Sequence, residues 1–379
     1  MKTLRFGIIG CGLMGREFAC AAARWMAVLE DTVRPEITAV ADTSEQAMEW
    51  FTANIPTVRF HTTDYRELLS RSDVDAVYCA VPHVLHEQIY TDVIRAGKHL
   101  MGEKPFGIDR EANRRILETL AAHPGVFCRC CSQFPFYPAM CIMEDWIIRK
   151  KFGRILEVKA GFLHSSDMDL NKPVNWKRKA EINGEYGCMG DLGIHVQHVP
   201  LRYGWMPGSV SAYLSNIVPE RPDGKGGTAS CDTWDNAVLF CRTRDAEGGE
   251  FPMTLEMKRM SPGSTNEWYL KVSGLQASAY FSTDDPGAFC FLESGGAEQA
   301  WTRINVGYKP QFKTITGGIF EFGFNDAILQ MWAAFMKEWE GGDVKFGCVR
   351  PEETRFSHDI LTAALRSYQG RIEAAVEYD

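Results

Sequence analysis

The sequence has no long uninterrupted apolar run. Its most hydrophobic stretches, residues 6–9 and 76–82, are strand-sized and broken by glycine or polar residues, which excludes a helical membrane span as the reading of either. The opening Met1-Lys2-Thr3-Leu4-Arg5-Phe6 runs into a glycine turn with no signal-peptide core or cleavage site, so a cytoplasmic protein is expected. Positive charge is not in excess. The 41 Lys and Arg residues face 49 Asp and Glu, a formal net charge of −8 that gives no reason to expect nucleic acid as a partner. Internal repeats and low-complexity tracts are absent. A disulfide framework is absent as well, although the chain has 12 cysteines. Cys128, Cys130 and Cys131 crowd one expected strand at a spacing unlike a zinc knuckle, and Cys20, Cys79 and Cys141 sit among apolar neighbours. Free, mostly buried thiols are the expectation.

What is present is ordinary globular composition. Hydrophobic residues make up 45% and charged residues 24% of 379, enough chain for two domains with a core each. Short apolar strands at 4–9, 37–41, 57–60, 76–79 and 99–102 alternate with helical patterns at 13–29, 44–51, 65–69 and 84–96. This rhythm predicts a mostly parallel, doubly wound sheet. The pattern changes near Pro124-Gly125. After a strand at 126–131 and a helix at 139–150 come longer alternating strands at 155–163, 209–217, 237–242, 253–259, 268–272 and 277–281. They predict an antiparallel or mixed sheet with one face packed on helices. Residues 222–227 read as a surface loop, and 325–339 and 358–377 as helices. The expected division is 1–125 and 126–379.

Gly10-Cys11-Gly12-Leu13-Met14-Gly15 follows the first strand and opens the first helix, the setting that makes a glycine triplet specific for a dinucleotide. Gly10 permits the tight turn, Gly12 lets backbone approach a pyrophosphate, and Gly15 lets the helix pack closely on the sheet. Free N–H groups at the helix start would stabilise the phosphates. Asp42, followed by Thr43, ends the second strand; its carboxylate suits a ribose diol and repels a 2'-phosphate, favouring NAD over NADP. The plainer alternative is a structural glycine turn. Ala80-Val81-Pro82-His83-Val84-Leu85-His86 leaves another strand end and should border the nicotinamide half. His83 and His86 fit packing in a loop or helix as well as proton transfer.

Two sites can hold chemistry. Glu103-Lys104-Pro105 follows the strand at 99–102, and Pro105 biases Lys104 toward an extended backbone. Lys104 could donate to a substrate hydroxyl with Glu103 bracing it, or the pair could be a solvated turn. In Gly190-Asp191-Leu192-Gly193-Ile194-His195-Val196-Gln197-His198, Asp191 would cap a helix, and positions 191, 195 and 198 would share a face. Histidine suits removal of a hydroxyl proton near neutral pH. A metal site with His198 as third ligand, and a merely capped helix, remain alternatives; no metal is expected. In Asn175-Trp176-Lys177-Arg178-Lys179, Trp176 could stack on a sugar ring while Lys177 or Arg178 reaches hydroxyls or an anionic group. The same run also fits a solvated basic turn.

These pieces together resemble the glucose–fructose oxidoreductase / inositol dehydrogenase (Gfo/Idh/MocA) family. The likeness rests on the Gly10 loop, Asp42, Val81-Pro82 with His86, Ala96-Gly97-Lys98-His99 leading to Glu103-Lys104-Pro105, and the segment from Gly190 to His195, about the first 200 residues in all. It implies a Rossmann domain followed by an α/β domain on a large, predominantly antiparallel open sheet, with that sheet in a homodimer or homotetramer interface. It also implies a catalytic group of Lys104, Asp191 and His195. An aromatic-Arg pair of the relatives is replaced by Gln133-Phe134-Pro135-Phe136-Tyr137-Pro138, and their glycine run reads Gly187-Cys188-Met189-Gly190. The activity expected is NAD-dependent oxidation of a secondary hydroxyl on a sugar, glycoside or cyclic polyol, with His195 as base, Lys104 polarising the oxygen and Asp191 orienting substrate or His195. The alternatives are a glycoside hydrolase or lyase that recycles NAD through transient oxidation, and a non-catalytic NAD-responsive protein.

Overall fold

The computed structural model describes residues 2–30, 33–295 and 298–378. The chain forms two compact units. The first comprises Met1–Gly107, Glu111–Phe136 and Tyr308–Pro351. It carries β1 (Thr3–Ile9), α1 (Leu13–Ala23), β2 (Arg34–Ala41), α2 (Glu45–Asn54), β3 (Phe60–Thr62), α3 (Tyr65–Leu69), β4 (Ala76–Cys79), α4 (His86–Arg95), β5 (His99–Gly102), α5 (Arg110–Ala121) and β6 (Cys128–Cys130). All five strand pairings are parallel, in the order β3-β2-β1-β4-β5-β6. This is the doubly wound order whose reversal, between β1 and β4, opens a ligand crevice at the strands' carboxyl ends. The expected strand at 57–60 starts later, because a turn bonding the Val58 N–H to the Ile55 carbonyl precedes it. The helix expected at 13–29 stops at Ala23. Beyond it Trp25 is buried, and Val28 is drawn into a bridge with Thr314.

That bridge marks a departure from the expected division at residue 125. Residues 308–351 return to the first unit. In chain order the helix over 324–339 is α9 (Phe324–Trp339). Its Trp332 stacks on Phe18 at 3.8 Å between ring centroids and meets Phe6 and Tyr78 edge-on. Cys130 at the end of the sheet also bridges Val349. An aromatic helix face seals the sheet's core, which is why a distant segment belongs to it.

The second unit comprises Ile108–Arg110, Tyr137–Gly307 and Glu352–Asp379. It contains α6 (Pro138–Ile148), β7 (Ile155–His164), α7 (Ala180–Asn183), α8 (Cys188–Arg202), β8 (Met206–Ser215), β9 (Glu220–Pro222), β10 (Thr228–Ser230), β11 (Asn236–Arg244), β12 (Glu250–Lys258), β13 (Asn266–Gly274), β14 (Ala277–Ser282), β15 (Ala288–Glu293), β16 (Thr302–Asn305), α10 (Pro351–Gly370) and β17 (Ala374–Ala375). Nine strands form one sheet in the order β16-β15-β14-β13-β7-β12-β11-β8-β17. Within this sheet, among the described residues, β7 and β12 pair in parallel and the other neighbours are antiparallel, as expected. Residues alternate buried and open along β11 and β12, so one face is covered. Helix α8, buried from Cys188 to Leu201, lies on that face, and the Trp268 indole N–H donates to the His195 carbonyl at 2.8 Å. The loop 222–227 is the tip of the β9–β10 hairpin.

Candidate functional site

The glycine turn of the first unit has the geometry its residues require. Gly10 has φ +98°, and a Cβ there would lie 2.3 Å from the Ala80 carbonyl oxygen. A Cβ on Gly15 would lie 2.5 Å from the Gly10 carbonyl oxygen. Gly12 differs: it is the N-cap of α1, and a Cβ there would meet nothing within 4 Å. This is open space at a helix start that has no side-chain cap and no acid in its first turn, the conditions for receiving a pyrophosphate. Leu13 is exposed beside it, Met14 packs partly on the core, and Cys11 is buried. Burial, and then the Asp42 charge, push the Cys11 thiol up to about 12, so Cys11 contributes backbone rather than a reactive sulfur. The Asp42 carboxylate accepts from the Cys11 N–H at 2.7 Å and the Ser44 N–H at 2.9 Å. It is thereby fixed against the turn with lone pairs left for a ribose, and Thr43 beside it is exposed. These residues fit NAD.

At the next strand end, Ala80, Val81 and Pro82 are half-buried. His86 is fully buried and supports this loop rather than facing a ligand. The Gly107 N–H donates to its Nδ1 at 3.4 Å, so Nε2 carries the proton and donates to the Val81 carbonyl at 3.0 Å. The ring also stacks on Tyr90 at 4.7 Å. Glu103 is buried and accepts from the Tyr78 hydroxyl at 2.7 Å, while its carbonyl accepts from Tyr90 at 2.8 Å. Burial and then Glu103 hold the Tyr78 hydroxyl well above its ordinary range. Glu103 is thus a fixed brace at the strand exit. Lys104 beside it is half-buried and joined to Pro105 by a cis peptide.

In the second unit a cavity of about 370 Å³ is lined by His164, Ser166, Asp167, Lys172, Asn175, Trp176, Lys177, Asp191 and Arg259. Asp191 does not cap α8, as the spacing suggested. Gly187, at φ +57°, is the N-cap, and Asp191 sits in the first turn. Its carboxylate instead receives Lys177 Nζ at 2.9 and 3.1 Å and Arg259 Nε at 3.3 Å. Arg259 is almost fully buried and also donates to the carbonyl of Lys177 and the side chain of Asn183. It went unnoticed in the sequence because no motif surrounds it. Trp176 is half-buried on the cavity wall, with Lys177 Nζ 5.7 Å from its ring centroid.

His195 lies one turn beyond Asp191 and is 4% exposed, its ring edge-on to Phe162 at 5.4 Å. It does not line the cavity itself; His164, 4.4 Å from the same Phe162, does. Arg178, expected to touch substrate, is placed behind the cavity. Its buried guanidinium is ion-paired with Asp235 and Asp167, since a three-residue turn sends successive side chains in different directions. His198 is interior, with Nε2 3.2 Å from Arg202 and 3.9 Å from Glu353. Among the described residues, no group of three or more His, Cys, Asp or Glu is placed to hold a metal.

Residues 4–128 match the model of the Gfo/Idh/MocA oxidoreductase family, NAD-binding Rossmann fold. Levoglucosan dehydrogenase of Pseudarthrobacter phenanthrenivorans is 27% identical over 297 residues, 74% of each chain. Inositol 2-dehydrogenase 2 of Saccharopolyspora erythraea is 32% identical over 243 residues, 64% of each. A solved levoglucosan dehydrogenase in complex with NADH and L-sorbose superposes with a TM-score of 0.88 at 22% identity, covering 100% of both chains, which shows the shared fold. The glycine turn, the Asp42 carboxylate and the doubly wound sheet define an NAD-binding oxidoreductase. Over residues 4–128 the chain is similar to the NAD-binding domain of the Gfo/Idh/MocA oxidoreductases.

Proposed function

We propose that the chain oxidises a secondary hydroxyl of a sugar, glycoside or cyclic polyol with NAD, His195 serving as base and Lys104 polarising the hydroxyl oxygen. The observation that carries this reading is the polar cavity of the second unit, built around the Asp191 carboxylate and walled by Trp176. Hydroxyl-rich rings bind by this combination of hydrogen-bonding groups and one flat apolar surface. Relatives named as dehydrogenases of levoglucosan and inositol support the substrate class.

NAD, when bound, supplies the hydride acceptor. His195 takes the hydroxyl proton on an imidazole nitrogen as the alcohol carbon becomes a carbonyl carbon. Lys104 donates to the same oxygen and stabilises its developing negative charge. Asp191 is already ion-paired with Lys177 and Arg259, so it is assigned to orienting the substrate rather than to taking the proton. Its role is to accept a hydrogen bond from a second ring hydroxyl and so orient the ring. His195→Ala should lower kcat by about 10²–10⁴-fold while leaving the NAD dissociation constant, read by fluorescence titration, unchanged. Undiminished turnover in this variant would remove His195 from the role.

A further inference from the structure

Building on the sugar-oxidation reading, we infer that the second unit's cavity recognises an anionic substituent, a carboxylate or a phosphate, carried by the hydroxylated ring. Lys172, Lys177 and Arg259 line the cavity with Asp167 and Asp191, and Arg178, Asp235 and Arg221 lie behind it. Asp191 lies between Lys177 and Arg259, Asp167 between Lys172 and Arg178, and Asp235 against Arg178. Arg221 has no carboxylate in ion-pair range among the described residues. Its guanidinium donates to the backbone carbonyls of Asp167 at 2.5 Å and Asp169 at 2.7 Å, and its Nε has no hydrogen-bond partner. Carbonyl oxygens solvate this buried charge but do not neutralise it, so Arg221 on β9 adds a positive charge behind the cavity wall.

The same sign faces the opening. The side chains of Asp167 and Asp191 are 6% and 4% exposed, whereas those of Lys172 and Lys177 are 41% and 39% exposed. An entering molecule therefore meets two ammonium groups, with the carboxylates beneath them and no further acid among the lining residues. A carboxylate or phosphate oxygen would take charge-assisted hydrogen bonds from these ammoniums. Ring hydroxyls would be left to Asn175, His164 and Asp191.

The test uses the full chain with NAD on matched probes, D-glucuronate against D-glucose and D-glucose 6-phosphate against D-glucose, at low and high sodium chloride. Calorimetric binding of the same probes and the variant Lys172→Gln, which spares the Asp191 pair, complete it. The expected result is that at least one acidic probe exceeds glucose about tenfold or more in kcat/KM and in affinity. Salt should shrink that ratio, and Lys172→Gln should lower it. The arms separate a carboxylate preference from a phosphate preference. If acids bind more tightly but nothing is oxidised, the inference stands and the oxidation reading fails. If glucose is oxidised and the acids show no advantage in rate or binding, the oxidation reading stands and the inference is overturned. No preference in either assay also overturns it.

Discussion

Two glycines only two positions apart should respond differently to one added methyl group. Gly10→Ala forces a positive φ and a collision with the Ala80 carbonyl. It should cost about 1–3 kcal/mol of stability in the free protein, measured by denaturant unfolding. Gly12→Ala has free space for its Cβ, so the free protein should melt within about 1 °C of the parent, since surface changes of this kind are small. Its NAD affinity should nonetheless fall at least tenfold, because the methyl group occupies the path of the pyrophosphate. A Gly12→Ala protein that binds NAD normally would contradict the placement of the cofactor. Asp42→Ala removes the acceptor for two backbone N–H groups together with the proposed ribose contact, and the ratio of NAD to NADP affinity should drop. These positions were legible in the sequence because a phosphate turn is local: strand, glycines and helix lie within one stretch. Arg259 was not legible, since it reaches Asp191 from the end of another strand 68 residues away. Lys177 and Arg178 are neighbours with opposite fates, one facing the cavity and one locked to Asp235 and Asp167. A basic run does not reveal which way each member turns.

The spacing of four between Asp191 and His195 on helix α8 was readable without a structure, although of the two Asp191 alone lines the cavity. The helix start was not, because Gly187 rather than a polar side chain occupies the cap. Helix α5 also escaped notice: it is amphipathic but mostly polar, and it buries Ala112, Asn113 and Ile116. Strand β5 supplies a prediction of its own. His99 at its start accepts from the Phe127 N–H at 3.0 Å and meets Trp339 edge-on. Burial lowers its pKa below the ordinary histidine value, with Asp75 opposing weakly. Between the folded and unfolded values the unfolded chain binds the extra proton, so this group stabilises the fold less as pH falls below about 6.5. The loss levels off once pH passes below the folded value. His99→Gln should therefore flatten the fall of melting temperature between about pH 7 and about pH 5. An unchanged slope would remove His99 as a contributor.

Across the whole molecule, the parallel character of one sheet and the largely antiparallel character of the other follow the periodicity of the sequence, but the membership of residues 308–351 does not. Helix α9 contacts Phe6 and Phe18 across about three hundred residues of chain, and no local pattern encodes such a partner. Trp332→Ala should cost about 3–5 kcal/mol by emptying that contact, read as a lowered unfolding midpoint. A fragment ending at residue 136 should fail to fold cooperatively, since its aromatic core lacks the α9 face; a cooperative, NAD-binding fragment would contradict the discontinuous unit. Net oxidation of a ring alcohol is the chemistry proposed for the chain. Its most direct measurement follows NADH absorbance and product mass together while the chain acts on a panel of sugars, acidic sugars and cyclic polyols. One NADH should form for each product molecule lighter than its substrate by two hydrogens. Cleavage of a glycosidic or other substituent bond without accumulating NADH would contradict it.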